Sequence, residues 1–279
     1  MIQEQVRAAL AEDVGSGDAT TLALVSSSAV ASASMVARED LVVAGLALAT
    51  AAFRALDAAV RIHSLVREGD RCSAGSNLVT LSGRAASLLT AERVALNFVQ
   101  RLSGIATLTA RFVEAVKGTK VKILDTRKTT PGWRRLEKYA VACGGGVNHR
   151  FGLSDMILIK DNHLAALAAE TKDPIGRAVA KAREMFPALK VEVEADTLEQ
   201  AKAAAEARAD IILLDNMTLA QLRAAVALIA GRCQIEASGG VNLDTVRAIA
   251  ETGVDFISVG AITHSARAVD IALDFDSPA

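Results

Sequence analysis

From about residue 117 onward the chain repeats one pattern: a short apolar run, a polar or glycine-rich turn, then an amphipathic, alanine-rich stretch. The apolar runs are VKILD (121–125), MILIK (156–160), VEVE (191–194), DIILLD (210–215), QIEA (234–237) and FISVG (256–260). GVNHR (146–150) offers a further short strand. Between the runs lie TLEQAKAAAEAR (197–208), TLAQLRAAVALIAG (218–231) and NLDTVRAIAETG (242–253), each opening on a Thr or Asn suited to cap a helix. Strands that alternate with helices in this way pair in parallel through crossover helices. Six or seven such units in about 150 residues favour an open (β/α) barrel over a doubly wound sheet. No GxGxxG follows the first strand, which also counts against a dinucleotide-binding fold.

Residues 1–104 read differently. SASMVAREDLVVAGLALA (32–49) and VRIHSLVREGDRCSAGSNLVTLSG (60–83) look like short strands with glycine turns. LLTAERVALNFVQRLSGIATLTARFVEAV (88–116) is a long helical region with an expected break near Ser103–Gly104. These pieces imply an α+β N-terminal domain over 1–104 and a barrel over 105–264, with the tail 265–279 packed back on the first domain. The chain of 279 residues is 51% hydrophobic, enough for both cores, and only 3% aromatic, so those cores are aliphatic. A net charge of −1 implies no general attraction to nucleic acid or an anionic membrane, so any basic site must be local. Cys72, Cys143 and Cys233 form no CxxC pair and suit reduced thiols. The N-terminus carries acids and lacks a signal-peptide core, and no run of apolar residues is long enough to span a membrane. A cytoplasmic protein is expected.

Barrel active sites gather at the C-terminal ends of the strands. The residues there are Arg127 and Lys128, His149 and Arg150, Lys160, Glu194, Asp215, Ser238-Gly239-Gly240, and Gly260. Nearly every strand thus delivers a charged residue or a glycine to one rim. Arg127, Arg150, Lys160 and Arg93 suit a small polyanion, because guanidinium offers a planar fork to carboxylates. Lys160 follows ILI, which should shield its stem. SGGV (238–241) and VGAI (259–262) close the last two strands, where backbone N–H groups commonly hold a phosphate. Glu194 and Asp215 end apolar strands, so they either pair with the cations or hold a metal; carboxylates with water suit Mg²⁺, which binds a diphosphate. The rim is therefore read as a site for a small acid, a sugar phosphate and Mg-diphosphate.

DTRKTTPGWRRLEKYAVACGGGVNHRFGLSDMILIKDNH, VEVE, DIILLDNM, EASGGV and ISVGAITHSARAVDIALDF, with AEDVGSGDATT and LLTAERVALNFVQRLSGIAT, carry a resemblance over almost the whole chain. It is similar to the type II phosphoribosyltransferases that act on quinolinate, the nicotinate-nucleotide pyrophosphorylase (carboxylating) family. The resemblance implies an α+β N-terminal domain, an open α/β barrel and a homodimer with shared active sites. It implies transfer of phosphoribosyl from phosphoribosyl pyrophosphate to quinolinate, with Mg²⁺ and loss of CO₂, giving nicotinate mononucleotide for NAD synthesis. By the same resemblance Arg127, His149, Arg150 and Lys160 contact quinolinate, and Thr126 belongs to the substrate-binding set. Lys128, Glu194 and Asp215 serve the phosphoribosyl donor and its Mg²⁺, and Lys128, Lys160, Glu194 and Asp215 carry the catalysis. Ser238, Gly239, Gly240, Val259, Gly260 and Ala261 line the 5′-phosphate pocket, and Arg93 reaches the partner subunit's site.

Three other readings stand beside this one. A ModD-like molybdenum-utilisation protein shares the TRKT and GGG–HR elements, although IKDNH (159–163) favours the quinolinate enzyme. A Schiff-base lyase would use Lys160, whose cationic neighbours could depress its pKa. A non-catalytic phosphometabolite-binding barrel would bind without turnover.

Overall fold

The computed structural model describes residues 2–167, 169 and 171–276, and its contacts divide into two compact units. The first comprises residues 1–110, 139–145 and 266–279, and the second 111–138 and 146–265.

In the first unit α1 (Ile2–Val14) and α2 (Ala19–Leu24) precede β1 (Val30–Ala37), β2 (Leu41–Val42), α3 (Leu46–Leu56), β3 (Arg61–Ser64), β4 (Arg71–Cys72) and β5 (Asn77–Arg84). Asp18 caps α2 by accepting the Thr21 N–H at 3.0 Å. The main sheet has the order β12-β1-β5-β3, where β12 (Ile271–Phe275) returns from the far end of the chain to pair antiparallel with β1. The expected break at Ser103–Gly104 is absent: α4 runs unbroken over Ala85–Ala115. Gly104 serves close packing rather than a kink, since a Cβ there would lie 2.0 Å from the Arg267 carbonyl oxygen.

The second unit is the barrel. Its elements are β6 (Lys122–Leu124), α5 (Arg134–Cys143, whose last turns belong to the first unit), β7 (Ile157–Ile159), α6 (Asp161–Leu167), α7 (Pro174–Met185), β8 (Val191–Ala195) and α8 (Leu198–Glu206). β9 (Ile211–Asp215), α9 (Leu219–Ile229), β10 (Gln234–Ser238), α10 (Val246–Ala250), β11 (Phe256–Ser258) and α11 (Ala261–His264) complete it. The strands form one six-stranded parallel sheet in the order β6-β11-β10-β9-β8-β7. From β7 to β11 strands consecutive in sequence are neighbours in space, as short crossover connections require, while β6 pairs with β11. Among the described residues β6 and β7 form the two edges, which leaves the barrel open. The expected strand at 146–150 shrinks to a single bridge between Val147 and Leu124.

Ile212 and Leu214 on β9, and Val191, Val193 and Ala195 on β8, are fully buried. This is what parallel strands covered on both faces look like, and it explains the uninterrupted apolar runs. Thr197 and Thr218 close capping boxes with Gln200 and Gln221, so α8 and α9 start where the sequence suggests. The third expected cap shifts: Asn242 makes a turn, accepting the Thr245 N–H at 3.1 Å, and α10 begins only at Val246. Among the described residues no helix is long and apolar enough to cross a membrane.

Candidate active site

The strand register decides which side chains share the barrel interior. Paired residues of parallel neighbours point the same way, and every second residue of a strand faces one side. Glu194, Leu213 and Glu236 are in register across β8, β9 and β10, with Glu192 paired to Ile211 one step below and Asp215 to Ser238 one step above. Glu192 and Glu194 therefore lie on one face, and Asp215 and Ser238 continue it to the rim.

The end of β6 is tied down by a buried ion pair. Asp125 and the side chain of Lys138 on α5 are 0% and 4% exposed and bond directly. The same Asp125 carboxylate accepts the His149 N–H at 2.8 Å, and Lys138 Nζ also donates to the His149 carbonyl at 3.1 Å. Oriented with its nitrogen inward, the Asn148 amide donates to Asp125 Oδ2 at 2.8 Å. Burial pushes the Asp125 carboxyl above its usual range, while Lys138 and the His149 N–H pull it down. This knot fixes the Asn148–His149 segment to the strand that carries the TRKT segment.

Within TRKT, Lys128 N–H donates to Thr126 Oγ1 at 3.0 Å, and the Lys128 carbonyl accepts from Thr263 Oγ1 at 2.8 Å. The Lys128 stem passes Gly260, where a Cβ would come within 3.1 Å of Lys128 Cδ. Lys128 thus meets the last strand end. The following turn is held by Glu137, which accepts both the N–H and the hydroxyl of Thr130, at 3.1 and 2.9 Å.

Arg127 is half-buried and its Nε is buried with no partner. Arg150 donates to the Met156 carbonyl at 3.1 Å, and its pKa is lowered by burial and by the charge of Arg127. Two neighbouring guanidiniums, one with a buried donor, make a wall suited to an anion.

Lys160 forms an ion pair with Glu194, and its N–H donates to His163 Nδ1 at 2.9 Å. Its side chain is 44% exposed, so the stem is less shielded than the preceding ILI suggests. Asp215 accepts from Asn216 Nδ2 at 2.6 Å. Asn216 and Gly239 interlock: Asn216 has φ 53° and Gly239 φ 94°, and a Cβ on Gly239 would lie 2.2 Å from Asn216 Oδ1. The SGG segment is therefore shaped by the residue after Asp215. Gly240 and Ala261 complete the two rim segments, whereas Val259 is buried and spends its N–H on the Leu124 carbonyl at 2.9 Å.

Arg93 is exposed on α4 in the first unit, so the barrel unit itself does not contain it. The remaining rim residues come from the barrel's own strand ends. Asp125, Lys138, Asn148, Glu192 and Glu236 escape the sequence reading. The carboxylates of Glu192 and Glu236 converge on His149, with the Nε2 atom 3.0 Å from Glu192 Oε2 and 3.4 Å from Glu236 Oε2. Alternation in VEVE and QIEA is the signal that could have placed both on the inner face.

Family models for the N-terminal and C-terminal domains of quinolinate phosphoribosyl transferase match residues 18–103 and 105–274. A curated relative from Mycobacterium leprae (strain TN), nicotinate-nucleotide pyrophosphorylase (carboxylating), is 45% identical over 98% of this chain and 96% of its own length. A probable nicotinate-nucleotide pyrophosphorylase (carboxylating) from Bacillus subtilis (strain 168) is 43% identical over 94% of this chain and 89% of its own. Among solved structures, the nicotinate-nucleotide pyrophosphorylase from Francisella tularensis superposes with a TM-score of 0.93 at 40% identity, covering 99% of this chain and 96% of that one.

Proposed function

The chain belongs to the quinolinate phosphoribosyl transferase family, and we propose that its strand-end cluster performs the corresponding reaction. Phosphoribosyl passes from phosphoribosyl pyrophosphate to quinolinate, pyrophosphate and CO₂ leave, and nicotinate mononucleotide remains, as a step of NAD synthesis. The observation that carries the assignment of the site is the buried, unpartnered Nε of Arg127 beside Arg150. A dicarboxylate supplies the acceptors that this pair lacks.

Arg127 and Arg150 grip the two carboxylates of quinolinate, with Thr126 and His149 lining the same wall. Lys160 completes the positive lining, and Arg93 of a second copy supplies a further cation in a homodimer with shared sites. The backbone of Ser238, Gly239, Gly240, Gly260 and Ala261 approaches the 5′-phosphate, while Val259, whose N–H is spent on the Leu124 carbonyl, supports the segment from beneath. The pyridine nitrogen attacks the anomeric carbon as the bond to pyrophosphate breaks, through an oxocarbenium-like state. Negative charge on Glu194 and Asp215 favours that developing positive charge, and Lys128 offsets charge on the departing diphosphate. The quaternised ring nitrogen then accepts the electron pair left by departing CO₂, and a proton replaces the lost carboxylate.

Glu194 and Asp215 fit Mg²⁺ through their donor chemistry: they are half-buried carboxylates on neighbouring strands and the same face. Two carboxylates completed by water and diphosphate oxygens are a usual Mg²⁺ environment, and the bound ion would neutralise diphosphate charge. The free Cys72, Cys143 and Cys233 and the nature of the substrates support a cytoplasmic location. Supplying quinolinate, phosphoribosyl pyrophosphate and Mg²⁺ to the purified protein should release pyrophosphate and CO₂ in equal amounts; no release of either sinks the reading.

A further inference from the structure

Glu192 and Glu236 are 0% and 1% exposed, and each keeps a buried oxygen without a hydrogen-bond partner: Oε1 of Glu192 and Oε2 of Glu236. Burying two carboxylates costs several kcal/mol in general, and aliphatic side chains of like volume would pack without that cost. The structural return is visible at one ring. Glu192 Oε2 stands 3.0 Å and Glu236 Oε2 3.4 Å from His149 Nε2. On the other side of the ring, the Arg150 N–H donates to His149 Nδ1 at 2.8 Å. The His149 backbone is held as well, its N–H by Asp125 and its carbonyl by Lys138.

Which proton the ring carries follows from these contacts. Burial lowers the His149 pKa, while the hydrogen bonds and charges of the two carboxylates raise it, with a net rise to about 10. The Arg150 N–H opposes that rise, because a second ring proton on Nδ1 would face it at 2.8 Å. The hydrogen-bond geometry decides, since two donors cannot share one contact. These two contacts assign the ring as the Nε2–H tautomer, with Nδ1 accepting from Arg150 and Nε2 directed at Glu192, so both nitrogens are occupied. None is left over for a substrate.

We propose that Glu192 and Glu236 are positioning residues for the reaction: Glu192 holds the His149 ring by a hydrogen bond at Nε2, Glu236 backs it at 3.4 Å, and the ring, through Nδ1, sets the backbone of Arg150. His149 then acts on quinolinate through the placement of Arg150 and by ring contact, without a nitrogen hydrogen bond of its own. The inference rests on the assignment of Arg150 to a quinolinate carboxylate. It goes beyond that assignment by adding a buried layer beneath the guanidinium.

The test compares the full-length double variants Glu192→Leu/Glu236→Leu and Glu192→Gln/Glu236→Gln with Arg150→Lys and the unaltered protein. The leucine pair removes the Nε2–H acceptor on Glu192 and the Glu236 carboxylate beside it; the glutamine pair keeps an oxygen at both places. The leucine pair should raise the KM for quinolinate at least tenfold, leave the KM for phosphoribosyl pyrophosphate within twofold, and not lower the melting temperature. The glutamine pair should return the quinolinate KM to within threefold of the unaltered value. An unchanged quinolinate KM in the leucine pair overturns the proposal, and so does equal impairment of both variants, which marks general damage. Arg150→Lys separates the two readings: if it leaves the quinolinate KM unchanged, the assignment of Arg150 fails first. Ring ¹⁵N spectra of the unaltered protein, with His149 assigned by its loss in His149→Gln, provide a readout that needs neither turnover nor the variants' folding. They should show Nε2 protonated and Nδ1 as an acceptor, and an Nδ1–H ring or an imidazolium at neutral pH overturns the clamp.

Discussion

Lys138→Met is the sharpest probe of how the His149 segment is held. It removes the ammonium from a pair whose partner, Asp125, is fully buried, and it deletes the 3.1 Å bond to the His149 carbonyl. Breaking a buried pair from one side costs about 3–5 kcal/mol, because the remaining charge is left uncompensated. Asp125 retains the His149 N–H at 2.8 Å and the Asn148 amide, so the lower end, about 3 kcal/mol, is expected. At about 2–4 °C per kcal/mol for a chain of this size, the melting temperature should fall by roughly 6–12 °C. The sign of the pH dependence follows from Asp125, whose carboxyl burial already pushes upward. Without Lys138 its folded pKa rises further above the unfolded value, so the folded state is favoured when Asp125 is protonated and penalised as pH rises through the folded pKa. The deficit relative to the unaltered protein should therefore be small near pH 4 and largest above neutrality. Asp125→Asn combined with Lys138→Met removes the stranded charge and should recover all but about 1 kcal/mol, the scale of one neutral hydrogen bond. Thermal melts followed by circular dichroism across pH check each point. A single variant that melts within 2 °C of the parent (below the roughly 6 °C expected at a minimum), or a double variant no better than the single, would refute the reasoning.

Three further outcomes are expected. Arg127→Lys keeps the charge but loses the fork, so calorimetric titration should show quinolinate affinity weakened at least about tenfold; an unchanged affinity removes Arg127 from the carboxylate site. Glu194→Gln and Asp215→Asn should each cut turnover sharply with nearly constant melting temperature; early unfolding with normal turnover of the folded fraction would instead make them fold-holding ion pairs. Arg93→Ala and Lys160→Ala should each be nearly inactive alone, yet recover up to about half activity per heterodimer when subunits exchange, because one site then carries both lesions and the other neither. Verified heterodimers without recovery would place Arg93 in its own subunit's site or outside it.

The barrel was legible because its strands are covered on both faces: IILL of β9 is wholly buried, and such runs stand out between amphipathic helices. The rim was legible for the same reason, since a charge that ends an apolar run must surface. What the sequence hid depends on distant partners. Gly104 looks like a helix break, but the carbonyl it makes room for belongs to Arg267. Lys138 sits between Glu137 and Tyr139 in a strongly polar helix and reads as a solvated cation; only the fold turns it onto Asp125. Glu192 alternates with Glu194 on one face, yet nothing local says that Glu192 meets His149 while Glu194 meets Lys160.

That division of labour between two glutamates on one strand has an electrostatic consequence. The charge of Arg127 lowers the Arg150 pKa, and Glu192 works against this through its charge alone. Were Glu192 bonded to the guanidinium directly, an incoming carboxylate would have to displace it, and part of the binding energy would be lost in the exchange. By spending its hydrogen bond on His149 instead, Glu192 compensates charge from a distance and leaves the arginine's donors open to a ligand. Glu194 is placed oppositely. It is bonded to Lys160 at the half-exposed rim, so a cationic centre proposed to form there would compete with that ammonium for the carboxylate. On the proposed reaction, the buried carboxylates tune the site without taking part in exchange, and the rim carboxylate is where partners exchange as charge develops.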